Sequence, residues 1–279
     1  MKLPPHFDFT QSKLQDYLDC PYRFYLRDIL NLKWPALLVD DAVAFEQRGQ
    51  TGARFHRLIQ QYLLGIPQNR LDEVAKADTD PEVATWLQNF LTFVPPRLTG
   101  QRYVETIHTT FLDEQRLLAK YDLILRKNDG KWIIFDWKTS QHLPRKDWLL
   151  DRVQTRLYRW MLVRTRNDLI GGDAIKPEQI SMQYWFATHP EHPIDLPYQQ
   201  ELYSQDTTFF DRLIHEILIK DENDFNRTLD NKKCRFCVYR SHCNRGVQAG
   251  DLSAYEDFAQ EPENFELDID FDQIAEIQF

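Results

Sequence analysis

The sequence predicts an α/β protein in which helices flank a mixed central sheet. Three observations predict it. Short apolar runs rich in aromatic and β-branched residues, at 132–135 and 180–187, read as strands buried on both faces. Segments with apolar residues at helical spacing, at 52–64 and 148–164, stand on either side of the first run. The resulting order is helix, three strands, helix, strand, which needs both parallel and antiparallel pairing to close one sheet.

Taken in order, residues 10–26 place Leu14, Tyr17 and Leu18 at helical spacing and then break at Cys20-Pro21. Residues 31–50 read as loop. Residues 52–64 set Phe55, Leu58, Ile59, Tyr62 and Leu63 on one helical face, with His56 beside it. A single histidine in that position is, on its own, an ordinary structural residue. Residues 66–100 read as helix with loops, with Asp80-Pro81 as a start and Pro95-Pro96 as a stop. A strand at 102–112 carries Glu105, read as structural or as support behind a site, and strands at 116–126 and 131–139 follow. Residues 148–164 read as one long amphipathic helix on which Gln154 and Tyr158, four apart, share a face. A buried strand at 180–187 and a helix at 207–219 complete the fold. There is no internal repeat and no G-x-x-x-x-G-K-[ST] loop for a nucleotide.

Composition sets the broad class. Of 279 residues, 42% are hydrophobic and 28% charged, as in an ordinary globular protein with a full core. No apolar run approaches the ~20 residues of a membrane helix, and the N-terminus lacks a signal-peptide core. The expectation is a cytoplasmic protein with no membrane partner. The net charge of −9 would argue against nucleic acid, but residues 256–279 hold nine acids and no Lys or Arg. The charges of the remaining chain cancel, so the acidity belongs to a tail and vetoes nothing.

The chemistry centres on 131–140, KWIIFDWKTS. Side chains alternate on a strand, so Asp136 and Lys138 share a face at the end of a buried run. Charges there need a reason, and an ion pair is the plain one. Upstream, 116–126 leads into Asn128-Asp129-Gly130. A three-residue hairpin loop with glycine last pairs 122 with 136 and sets Asp122 across from Asp136, whereas a two-residue loop puts them on opposite faces. In the first register two opposed carboxylates are destabilising, and the simplest stabiliser is a hard divalent cation, Mg²⁺ or Mn²⁺. Lys138 would stand beside it, placed to position a water or to neutralise a phosphoryl oxygen.

Four cysteines form a second constellation. Cys234, Cys237 and Cys243 make C-x2-C-x5-C, and Cys20 lies far upstream. Disulfides do not suit a cytosolic chain. Three clustered thiolates and one remote thiolate point to a [4Fe–4S] cluster more than to structural Zn²⁺, whose sites use two paired knuckles. Either would tie the N-terminal helix to the C-terminal segment and stabilise the fold.

Together these residues resemble the PD-(D/E)XK nuclease superfamily, in its RecB-like branch with an iron–sulfur cluster. That branch includes the CRISPR-associated iron–sulfur exonucleases and the nuclease domains of bacterial helicase–nucleases. The resemblance spans about residues 10–245. It rests on Ser12-x-Leu14-x-x-Tyr17-x-x-Cys20-Pro21-Tyr22-x-Phe24, Gly52-x-x-x-His56, Asp122, Asp136-x-Lys138-Thr139, Gln154-x-x-x-Tyr158 and the cysteine trio. It implies a restriction-endonuclease-like core over 1–250, closed by Cys20 with Cys234, Cys237 and Cys243, and an acidic tail over 251–279. It makes His56, Asp122 and Asp136 metal ligands, joined by the Trp137 carbonyl. Lys138 becomes the catalytic lysine, and Gln154 with Tyr158 the pair that orients metal-bound water or phosphate. The implied activity is metal-dependent DNA cleavage, exonucleolytic on single strands or ends, in repair, recombination or CRISPR adaptation beside a helicase or other partner. A non-catalytic DNA-binding or assembly subunit is the alternative. Where the family often has Gly-x-x-Asp-Arg, this chain reads Ala119-Lys120-Tyr121-Asp122-Leu123, a difference in substrate approach and not in metal binding.

Two charged regions remain. Lys232, Lys233, Arg235 and Arg240 surround the cysteines beside Phe236 and Tyr239. The pattern suits a nucleic-acid backbone with a base stacked on an aromatic ring, or cations balancing a cluster's charge. The tail alternates acids with Phe and Ile, as a solvated segment, a cover for the DNA channel or a partner peptide would.

Overall fold

A computed structural model of the chain describes residues 3, 4, 6–33, 40–164, 174–235 and 237–246, with backbone only for 40–46. Fifteen elements matter here. They are β1 (Asp8–Thr10), α1 (Gln11–Asp19), α2 (Pro21–Phe24), α3 (Asp40–Leu63), α4 (Gln68–Lys76), α5 (Pro81–Phe93), β2 (Gln101–Leu112), β3 (Gln115–Arg126), β4 (Trp132–Lys138), α6 (Lys146–Asp151), α7 (Val153–Val163), β5 (Ile180–Phe186), β6 (Ile194–Pro197) and α8 (Gln200–Ile219), with a π-helical turn at Tyr25–Ile29.

The six strands make one mixed sheet. β3 is its organiser. β2 pairs antiparallel along its whole length, while its other edge is shared by β1, parallel at Arg116–Leu118, and β4, antiparallel at Leu123–Arg126. β5 continues from β4 in parallel and β6 closes antiparallel. The β3–β4 connection is the three-residue hairpin loop: Lys127 N–H donates to Lys131 O at 2.8 Å, and Gly130 has φ +82°. That left-handed position suits glycine.

Two helical layers cover the sheet. On one face Tyr17 of α1, Leu157 and Trp160 of α7, and Phe210 and Ile214 of α8 pack with Ile124, Ile134 and Met182. On the other, Phe55 and Ile59 of α3 and Trp86 and Phe90 of α5 pack with Leu125, Phe135, Trp137 and Trp185. β4 is therefore buried on both faces, as its apolar run predicts, and the helix–sheet–helix sandwich is the restriction-endonuclease-like arrangement. At ~25 cal/mol per Å² these faces supply the main stabilisation.

Some boundaries differ from the sequence reading. Residues 40–50, expected as loop, belong to α3; Gln47, Arg48 and Gln50 are exposed, and a solvent-facing turn shows no apolar stripe. The helix expected over 148–164 is two helices, broken at Arg152, whose ψ of 139° is extended. α8 begins at Gln200, seven residues before the expected start at 207. β1 and β6, of three and four residues, are too short to show a period. Among the described residues no helix is long and apolar enough to cross a membrane. Phe236 and the tail from 251 lie outside the described residues.

Candidate active site and cysteine centre

The carboxylates stand where the sheet parts. The β3–β4 ladder ends at Leu123↔Phe135, and β4 runs on beside β5 alone to Lys138↔Phe186. One step beyond the ladder's end the same register sets Asp122 against Asp136. Asp122 there takes over from the backbone: its Oδ2 accepts the Trp137 N–H at 2.9 Å. β3 also changes face at this point. Leu117, Ala119 and Tyr121 belong to the same core cluster as Ile124, while Leu123 joins the opposite one. On β2 the residue bracketed opposite Asp122 is Glu105, with φ +51°. A non-glycine residue held there costs on the order of 1 kcal/mol. Glu105, Asp122 and Asp136 thus form a row of acids across three strands.

Each acid has its own neighbour. Lys138 Nζ lies 3.0 Å from Asp136 Oδ2, so these two residues do share a face. Gln154 Nε2 donates to Asp136 Oδ1 at 2.7 Å, and Tyr184 O–H donates to Gln154 Oε1 at 3.4 Å. His56 Nδ1 lies 3.5 Å from Asp122 Oδ1. Lys120 Nζ pairs with Glu105 at 2.7 Å. Burial pushes the Asp122 carboxyl up, but the charge and hydrogen bond of His56, the Trp137 N–H and Lys138 outweigh it and hold Asp122 below the usual range. Burial, reinforced by Asp122, holds Glu105 above its usual range against the pull of Lys120.

The helices reach this point for identifiable reasons. Gly52 lies one turn before His56 on α3, and a Cβ there would stand 3.1 Å from Thr139 Oγ1. Glycine thus lets α3 close on the end of β4. Tyr158 is buried, and its ring packs on Tyr121 with centroids 4.8 Å apart, one residue from Asp122. The structure brings together His56, Asp122, Asp136, Lys138 and Gln154, with Tyr158 adjoining. The sequence reading missed Tyr184, which also shares a hydrogen bond with Thr155 at 2.8 Å; a tyrosine in a buried strand gives no distinguishing signal.

All four cysteines are free thiols and line one cavity together with Arg23 and Arg245. Cys20 sits at the α1–α2 junction, Cys234 ends a short 3₁₀ helix (Asn231–Cys234), Cys237 lies in irregular backbone and Cys243 in a turn. Arg245 spans the cavity wall. Its Nη1 donates to Cys234 Sγ at 2.8 Å and its Nη2 to Thr228 O at 2.6 Å, while Thr228 N–H donates to Cys20 Sγ at 3.4 Å. Burial pushes the Cys237 thiol up to about 11 despite Arg23, and raises Cys243 as well. Among the described residues no three His, Cys, Asp or Glu side chains converge on a single metal ion, here or at the carboxylates.

Of the four basic residues expected to meet nucleic acid, Lys232 and Lys233 are exposed and Arg235 and Arg240 half-buried. Lys233 Nζ is 2.7 Å from Asp19. Arg240 points back to the carbonyls of Arg245 and Arg235, at 2.6 and 3.5 Å.

A profile of the PD-(D/E)XK nuclease superfamily matches residues 8–244, and the chain belongs to that superfamily. Among solved structures, one from Eubacterium rectale described as a "putative exonuclease" is similar over 90% of this chain and 96% of its own, with 12% identity and a TM-score of 0.51. The crystal structure of SSO0001 is similar over 87% and 88%, with 14% identity and a TM-score of 0.40. No curated protein sequence matches.

Proposed function

We propose that the chain is a divalent-metal-dependent deoxyribonuclease acting on single-stranded DNA or DNA ends, with its four cysteines holding a [4Fe–4S] cluster. The observation that carries the activity is the placement of Asp122 and Asp136 at the parting of β3 and β4, with Lys138 3.0 Å from Asp136. The residues fit a cation by the chemistry of their donor atoms, although among the described residues no three are already gathered around one point. Two carboxylates and an imidazole are hard-to-borderline donors suited to Mg²⁺ or Mn²⁺. When bound, such an ion supplies Lewis-acid polarisation of a phosphoryl oxygen.

The chain's own residues do the rest. Gln154 fixes the Asp136 carboxylate through Oδ1. Lys138 presents an ammonium where a phosphodiester oxygen or an attacking water would stand. Its charge stabilises the negative charge that grows on the phosphoryl and leaving oxygens. Packing of Tyr158 on Tyr121 holds α7 against the strand that carries Asp122.

Four thiols around one cavity fit a tetrathiolate centre, and Arg23 and Arg245 supply cations that its negative charge needs. A structural Zn²⁺ would use the same donors. Work beside a helicase or another repair or CRISPR component, on strands that such a partner separates, is part of this reading. End-labelled single-stranded DNA incubated with Mn²⁺ tests the activity: shortening by wild type and not by Asp136→Asn supports it. Binding without cleavage would instead favour a non-catalytic DNA-binding or assembly subunit.

A further inference from the structure

We propose that Gln15 of α1 is a positioning residue that couples the cysteine centre to Asp136, an inference that rests on the reading of Asp136 as an active-site carboxylate. Gln15 Oε1 accepts the Val153 N–H, the first of α7, at 3.3 Å. Gln15 Nε2 donates to Asp19 Oδ1 at 3.2 Å. α7 needs this outside partner. Its N-cap, Arg152, makes no side-chain cap hydrogen bond, and the extended backbone there separates α7 from α6. Helix N-termini leave their first N–H groups without intrahelical partners, and here one is satisfied by a residue 138 positions upstream. The next residue in α7 is Gln154, which holds Asp136 Oδ1 at 2.7 Å.

The other end of the link reaches the cysteines. Asp19 immediately precedes Cys20 and accepts from Lys233 Nζ, beside Cys234, at 2.7 Å. Arg23, which lines the cysteine cavity, donates to the same carboxylate at 3.2 Å. An unbroken run therefore goes from Lys233 through Asp19, Gln15 and the first turn of α7 to Asp136. α1 is the strut: its C-terminal end is held where Cys20 meets the segment that carries the other three cysteines, and Gln15 sets α7 from its middle. Loosening the cysteine end lets the first turn of α7 drift and Gln154 with it.

Double-mutant kinetics on the metal-loaded protein test this with end-labelled single-stranded DNA and Mn²⁺. Gln15→Leu removes both hydrogen bonds at similar size, and turnover should fall about three- to tenfold with KM unchanged. Gln15→Glu keeps an acceptor for the Val153 N–H but replaces the donor to Asp19 with a like charge four residues away, so it should also lower turnover, and Lys233→Met should add nothing to that loss. Lys233→Met should lower turnover in the wild-type background and do nothing further in Gln15→Leu. Wild-type turnover in Gln15→Leu, or additive losses in the double variant, would overturn the coupling. A DNA contact at Lys233 would instead raise KM. Hydrogen exchange reads the link without cleavage: the Val153 and Gln154 amides should exchange faster in both single variants. Unchanged exchange in both overturns the inference whether or not DNA is cut, whereas faster exchange in the variants of a wild type that does not cleave DNA overturns only the nuclease reading.

Discussion

The carboxylate site and the cysteine site are built in different ways. Asp122, Asp136 and Lys138 come from adjoining strands joined by a three-residue hairpin loop, so local register alone brings them together. The sheet beneath them is filled on both faces by Phe55, Phe90, Trp137 and Trp185 on one side and Ile134, Leu157 and Trp160 on the other. The cysteines come from opposite ends of the described chain, Cys20 from a helix junction and the other three from a short 3₁₀ helix and the irregular chain after it. Their surroundings are held by side-chain hydrogen bonds such as Arg245 to Cys234 and to Thr228. On the proposed reading one site can lose its chemistry and keep its frame, while at the other the metal would be part of the frame.

The largest effect should come from the first site. Asp136→Asn should reduce cleavage by about a thousandfold and leave the circular dichroism spectrum unchanged. Appreciable cleavage by this variant with either Mg²⁺ or Mn²⁺ would remove the active-site assignment.

At the second site the loss should appear in folding. Cys20→Ser should release the metal and lower stability by several kcal/mol, about 10 °C in Tm. Metal analysis and a melting curve check it together. A variant that stays fully loaded and equally stable would show that the two sites do not differ in this way.

Beneath the cysteines lies a buried charge network that sharpens the contrast through pH. Asp16 meets Arg23 at 2.8 Å and Arg27 at 2.5 Å, and Arg27 also pairs with Asp28. Burial raises the Asp28 carboxyl to about 6, against the pull of Arg27. A carboxyl raised on folding holds its proton more tightly in the folded protein, so its contribution is complete below the ordinary carboxylate value. That contribution is lost as pH rises from about 4 through about 6. Asp28→Asn stays neutral, so the variant should gain on wild type across that window, by up to about 3 kcal/mol at pH 7. Denaturant titrations at pH 4 and pH 7 measure the difference, and an equal gap at both would refute the raised carboxyl.

The smallest effect belongs to the surface. Lys232 is exposed beside the cysteines. Lys232→Glu should weaken single-stranded DNA binding a few-fold at low salt and reduce the salt slope by about one. An unchanged slope would assign this side chain to balancing charge near the cysteines.

What was legible follows from how each feature is encoded. Phe135 and Trp137 on one face and Ile134 on the other confirm the two-sided burial of β4, because an uninterrupted apolar run has few other homes. The register of Asp122 against Asp136 was legible once Gly130 was read as the left-handed end of a three-residue loop. His56 was not legible from spacing, since one histidine on a helix has no signature; only the motif around Gly52 singled it out. The break at Arg152 escaped because 148–164 keeps a helical pattern across it. The pairing of Lys233 with Asp19 and the inward turn of Arg240 escaped because a count of cations says nothing of where they point.

By itself the sequence determined the strand order at the site, the alternation that puts Asp136 and Lys138 together, and the count of four thiols. These depend on residues close in the chain or on composition. Tertiary structure alone decided that β3 changes face at Asp122, that Glu105 completes a row of acids, and that Gln15 caps α7. Each of these joins residues that pattern cannot relate. The physical reason is that hydrogen bonds and close packing between distant segments depend on how whole elements dock, and docking is set by the shape of both surfaces at once.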